Sequence, residues 1–372
     1  MDTMDVVIRR GTCHVLYAYD IGMALDLKAC QGRVALLGRA TLSGRHRRAP
    51  KVFDYDPPPL TIIQESAPQR LGPYEVSSSV NLTFYDFGAV SISYAIPIAG
   101  SLASLCDLSG AIAQNEELLR DSRRRAEELQ RTLGKAVELP HIAALVEDYA
   151  IFEITECDLP CPADELPKQV GARLAQILRA EAQDLSEQET LDALACQISY
   201  GRDDLTLIDW NAAILFDRDA DDVRSVLEFA NVELLELRLL DHQLDSSLDR
   251  SYEFALRQAG RWRFIPGRSG TQLRRISRMQ LDGAILFERV SNAPKLLGDQ
   301  FLARAYRLAA QRFHVGEWNS SILRKLDTIE DFYQQMHDTA AGIRLEMLDW
   351  IIIVLIAIEI VMPFMPGHLP GR

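Results

Sequence analysis

The sequence predicts an α+β fold with three parts. An N-terminal domain over residues 1–218 is built from two related β-hairpin plus helix units, a long-helix coiled-coil bundle covers 219–348, and one transmembrane helix covers 349–366, ahead of a short tail at 367–372. Three observations carry this reading. Two stretches rich in β-branched and aromatic residues, 80–96 and 205–216, are each interrupted by Asp, an aromatic and then Gly or Asn. From residue 223 onward apolar residues recur at alternating spacings of four and three, the signature of a helical seam. Residues 350–366, WIIIVLIAIEIVMPFMP, turn apolar on every side of a helix.

In chain order, residues 13–19 read as a strand that leads into a short helix over 21–31, with Asp20 as its cap. A polar, proline-rich connection follows at 43–59. The first hairpin turns at Asp86 and Gly88, since glycine tolerates a left-handed backbone, and runs into a helix over 104–136. Residues 144–154 read as a strand and 165–183 as a helix. The second hairpin turns at Asp209 and Asn211, and its Ile208–Ala213 echoes Tyr85–Val90. Two related units follow from that echo.

The next helix carries a seam of Val223, Leu227, Ala230, Leu234, Leu237, Leu244 and Leu248, with Asp241 in one core slot. After a break at 266–270, further helices are expected to pack as an antiparallel bundle. The last helix, 321–366, holds ten consecutive seam positions from Ile322 to Val354. Its apolar run of about 17 residues would be ~25 Å long, against ~30 Å of hydrocarbon in a bilayer. Trp350 marks the expected interface, and Glu359, near mid-bilayer, is the candidate for a contact between subunits.

Composition narrows the partners. With 48% hydrophobic and 25% charged residues the chain has globular usage, and a net charge of −13 argues against direct contact with nucleic acid. The basic clusters Arg45–Arg48 and Arg123–Arg125 read as solvated faces. Cys157 and Cys161 have no matching Cys or His pair, so neither a metal nor a disulfide framework is expected. The opening MDTMDVVIRR has neither an apolar core nor an Arg-rich, acid-poor character, so it reads as neither a secretory signal nor a transit peptide.

Chemical motifs are sparse. Asp86-Phe87-Gly88 matches the magnesium-binding tripeptide of protein kinases, but no glycine-rich loop or HRD loop accompanies it. No GxxxxGK[ST], HExxH or GxSxG occurs. No catalytic residue and no cofactor is therefore assigned. An enzyme in which Asp86 and Asp209 meet as paired carboxylates stays open as the alternative.

Arg344-Leu345-Glu346 followed by Trp350-Ile351-Ile352 and Leu355–Glu359 resembles the C-terminal signature of the YagE, or "required for meiotic nuclear division", family. Asn231–Leu237 adds to the resemblance, which covers roughly residues 80–363 with 255–290 departing as an insertion. It implies a membrane-associated protein without known catalytic residues, whose eukaryotic relatives lie in the mitochondrial inner membrane and support translation. The expectation is a scaffold anchored in the cytoplasmic membrane by one pass, with its bulk in the cytoplasm. It would self-associate through coiled coils and meet an unidentified protein partner, with Trp350, Glu359, Arg344 and Glu346 at the membrane and oligomer contacts. A CorA-like ion pathway is a further reading, against which stands the lack of a second span.

Overall fold

The chain's longest strand, β1 (Val7–Asp20), is the spine of the fold. The computed structural model describes residues 6–34, 40–42, 57–159, 161–260, 283–284, 287–288 and 299–361, and the statements below concern these. Two short elements, β2 (Ala24–Leu25) and α1 (Leu27–Val34), follow β1. β3 (Ala40–Leu42), β4 (Leu60–Glu65), the β5 (Gln69–Leu71) and β6 (Tyr74–Val76) ribbon, β7 (Ser79–Phe84) and β8 (Ala89–Ser101) come next. Then come α2 (Leu102–Ala113), α3 (Glu116–Leu133), β9 (Val137–Glu138), β10 (Glu147–Asp158), α4 (Leu166–Arg179) and α5 (Glu187–Ala193). β11 (Gln197–Ile198), β12 (Leu205–Ile208) and β13 (Ala212–Phe216) complete the strands, and α6 (Asp221–Gly260), α7 (Gln300–Arg312) and α8 (Val315–Val361) follow.

The main sheet has nine strands among the described residues, in the order β11-β12-β13-β10-β1-β8-β7-β4-β3. β1 runs antiparallel to both β8 and β10, while β10 and β13 are parallel, so the sheet is mixed. Both expected hairpins form, and they are flanks of one large mixed sheet rather than two repeated hairpin plus helix units. Their turns lie at the same end of it, the end where β1 finishes at Asp20 and β10 begins at Glu147. Four strand spacings separate the two turns, about 19 Å.

Alternation along the strands gives the sheet two unlike faces. Val15, Tyr17 and Tyr19 of β1, with Ile92 and Tyr94 of β8 and Phe152 of β10, face the large apolar core under α2, α3 and α4. The opposite face carries His14, Ala18 and Asp20, with Ser91, Ser93, Glu147 and Glu153, all buried. The first half of α6 covers it.

Local differences from the sequence reading have plain causes. The expected helix over 104–136 is two, because Asn115 stops α2 and caps α3, its side chain accepting from Leu118 N at 2.8 Å. Asp20 caps no helix and instead accepts from Gly22 N at 3.0 Å, with the helix starting later, at Leu27. The break at 266–270, Arg45–Arg48 and everything beyond Val361 lie outside the described residues.

The chain divides into two compact units, residues 1–240 with 286–319 and residues 241–285 with 320–372, so the division falls inside α6. In the second unit the helices α6 and α8 are parallel, not antiparallel as expected. Asp241 meets Ser321 and Lys325, and eleven residues further on Tyr252 meets Phe332 at 6.4 Å. Ile322, Leu326 and Ile329 are buried there, and Asp241 and Asp245 hold Lys325 at 2.7 and 2.6 Å. The polar core slot is thus an ion pair that fixes register.

No helix among the described residues is long and apolar enough to cross a membrane, which corrects the transmembrane reading. The apolar stretch from Trp350 contains Glu359 and is preceded by Asp349, and carboxylates are costly within hydrocarbon.

Candidate functional site

The two hairpin turns, alike in sequence, do different work. At the first, Gly88 has φ +107° and a Cβ there would lie 1.7 Å from the Gly22 carbonyl oxygen, so only glycine fits. Leu25 N donates to Asp86 O at 2.8 Å and Ile21 N to Gly88 O at 3.0 Å, which clasps the turn to the chain leaving β1. Tyr85 and Phe87 are buried and stacked at 5.3 Å, against Phe229 of α6. Beside this turn a cleft of about 710 Å³ is lined by Asp26, Asp86, Glu138, Lys28 and Lys135, charges of both signs with no common focus.

At the second turn the aromatic faces out and the acid faces in. Trp210 is 55% exposed and Asp209 is fully buried. Asn211 keeps a negative φ, so the expected left-handed turn residue is not one. Arg179 Nε and Arg312 Nε donate to the two oxygens of Asp209, the first at 2.6 Å, and Asp192 and Glu189 take up the remaining guanidinium nitrogens. Tyr149 donates to Asp209 O at 2.9 Å. Every member of this cluster has an opposite charge in place, which makes it a clamp joining α4, α5, α7 and the hairpin. Asp86 and Asp209, about 19 Å apart by strand spacing, cannot share a proton or a substrate atom.

The unbalanced polar groups lie elsewhere, on the sheet face under α6. At one end, Arg224 donates to Glu153 at 2.6 Å, and His14 Nε2 sits 3.5 Å from the same carboxylate. Burial holds the His14 imidazole below its ordinary value, against the pull of Glu153, and its Nδ1 has no partner. At the other end, Arg238 donates to Glu147, whose carboxyl burial still pushes up to about 7. Between them Glu233 accepts from Tyr306 of α7 at 2.5 Å, and burial raises its carboxyl to about 8. Glu236 is 1% exposed, and neither of its oxygens has a hydrogen-bond partner. Burial and the charge of Asp20 push its carboxyl well above the ordinary range.

Among the described residues no group of three or more His, Cys, Asp or Glu side chains could hold a metal ion. Trp350 and Glu359 are exposed on α8, while the side chains of Arg344 and Glu346 lie outside the described residues.

A family described as "Uncharacterized protein MJ0711, N-terminal domain" matches residues 10–222, more than half of the chain. The chain belongs to this MJ0711 N-terminal domain family. It is also 24% identical over 219 residues to "Uncharacterized protein MJ0711" of Methanocaldococcus jannaschii, a match covering 58% of this chain and 66% of that protein, just under two thirds of its length. No solved structure matches the chain.

The family match overturns the resemblance to the YagE family. Of the residues that carried that resemblance, 344–359 and 231–237 lie outside the matched span and the hairpin leading to 231–237 lies inside it, and short Leu- and Ile-rich runs recur in any amphipathic helix. The MJ0711 domain span takes in the sheet with Asp20, His141, Glu147, Glu153 and Asp209, and it stops as α6 begins. Glu233, Glu236, Tyr306 and Arg312 come from beyond it.

Sequence reasoning missed Glu233 and Glu236. They lie one turn apart on α6, a spacing the sequence shows, but both fall off the four-three seam. α6 is buried nearly all round between Val226 and Leu240, so off-seam positions are inside as well.

Proposed function

We propose that this protein is a non-catalytic assembly protein that self-associates through the distal part of α8 and offers its sheet unit to a protein partner. The observation that supports this is Trp350–Ile358, where eight large apolar side chains on all sides of the helix are 49% to 65% exposed. Apolar surface of that extent is on the order of the ~800 Å² that each partner contributes to a standard interface.

A second copy of the same chain fits this surface because the seam is continuous. Buried at Ile322, Leu326 and Ile329, it reaches Trp350 and Val354 exposed. Trp350 and Val354 stand exposed among the described residues, and an identical chain presents the same seam. A run apolar on all sides is covered only by more than one neighbour, so the assembly is a bundle of more than two copies.

Light scattering on the full chain tests this. The wild type is expected at a multiple of 41.8 kDa at micromolar concentration, and Val354→Glu, which puts a charge in the seam, is expected at one chain mass. A wild type that stays at one chain mass overturns the reading.

A further inference from the structure

We infer that Glu236 is a proton-operated latch: with its proton on, the first half of α6 lies closed on the polar face of the sheet, and loss of that proton opens it. The geometry requires a special arrangement at this residue. A carboxylate 1% exposed, with no hydrogen-bond donor on either oxygen among the described residues, has no protein partner to offset the loss of hydration, whereas the neutral acid carries a far smaller penalty.

The groups around it set the charge. From β1 comes Asp20, 4% exposed, a second carboxylate that disfavours a charge on Glu236. Along the same stretch of α6, Arg238 pairs with Glu147 of β10, and Glu233 accepts from Tyr306 of α7. A cation also reaches Asp20: His141 Nε2 is 3.3 Å from Asp20 Oδ1, and its side chain is 44% exposed. The imidazolium it forms with Asp20 is favoured, its ordinary value being raised to about 9.

The direction with pH follows from linkage. Below about 4.5, the ordinary value for Glu, folded and unfolded chains both hold the proton and nothing is lost. Above it the unfolded or opened chain gives up a proton that the closed state retains. The closed state therefore loses up to about tenfold per pH unit for each such group until the folded value is passed. Glu233 and Glu147 act in the same sense, and His14 in the opposite one.

Hydrogen exchange of the full chain between pH 6 and 9, corrected for intrinsic amide rates, reads this directly. Protection of residues 226–240 is expected to fall with rising pH in the wild type, while that of α3 holds. In Glu236→Gln the fall is expected to be shallower by up to about tenfold per pH unit. Glu236→Leu, which brings no donor to satisfy, is expected to give the same reading if the Gln variant folds poorly. Wild-type protection over 226–240 that does not change with pH overturns the latch, and so does a variant that keeps the wild-type dependence.

Discussion

Asp121 and Glu236 are carboxylates on helices that cover opposite faces of one sheet, and their environments drive them in opposite directions. On the α3 side, Asp121 accepts from Tyr94 at 2.7 Å, from Arg125 at 2.6 Å and from Arg124. Burial alone would raise its carboxyl, but these donors outweigh it and hold the group down at about 2. On the α6 side, Glu236 has no donor at all and is driven up. Burial is the same disfavouring force in both places. What differs is whether the chain supplies partners, and the polar atoms left without one include Ser91 Oγ, Asn231 Nδ2 and His14 Nδ1, all on the α6 side.

Arg125→Met should break the paired side most severely. It removes one donor from Asp121 and strips Gln64 and Ser66 of their shared partner, so a loss of about 3 to 5 kcal/mol is expected in urea denaturation at pH 7. The wild-type contribution of Asp121 is present above pH 3.8 and is lost as pH falls toward 2. On the unpaired side the sign reverses. Glu236→Leu should gain about 1 to 3 kcal/mol at pH 8 and little at pH 5, because it removes a group whose proton the folded chain must keep while the unfolded chain gives it up as pH rises. Ser91→Ala should be the smallest change, within about 1 kcal/mol of zero, since its hydroxyl gives up no hydrogen bond. If Glu236→Leu cost as much as Arg125→Met, the two faces would not differ in the way described.

The strands were legible because their chemistry is local. β-branched runs and Gly88 placed the first hairpin, and the apolar run of β12 and β13 placed the second. The echo between the turns misled as to role, since Phe87 is 1% exposed and Trp210 is 55% exposed, and no short-range feature distinguishes a turn that packs under a helix from one that faces water. The clamp on Asp209 draws Arg179, Asp192 and Arg312 from three separate helices, and a sequence does not show which helix ends will converge. Glu236 was hidden for a related reason. A four-three pattern reports one buried stripe, whereas α6 is enclosed by the sheet and by α7. In the second unit the seam of α8 was legible over Ile322, Leu326 and Ile329, and the apolar run from Trp350 was legible as apolar, but what covers that run is not a property of the run.

Glu236 and the residues 350–358 invert one another, an acid kept from water and an apolar stretch left in it. One is answered by a proton and the other, as proposed, by further copies of the chain. The most direct test of that reading places a cysteine at Ile352 in the full chain and treats the protein at low micromolar concentration with a short thiol-to-thiol cross-linker. Thr328→Cys, exposed on the same helix and off the seam, is the control. Rapid cross-linking between chains at residue 352, with little at 328 and loss of the 352 product when Val354→Glu is added, is the expected result. Equal yields at the two positions, or no cross-linked chains at residue 352, would contradict assembly through α8.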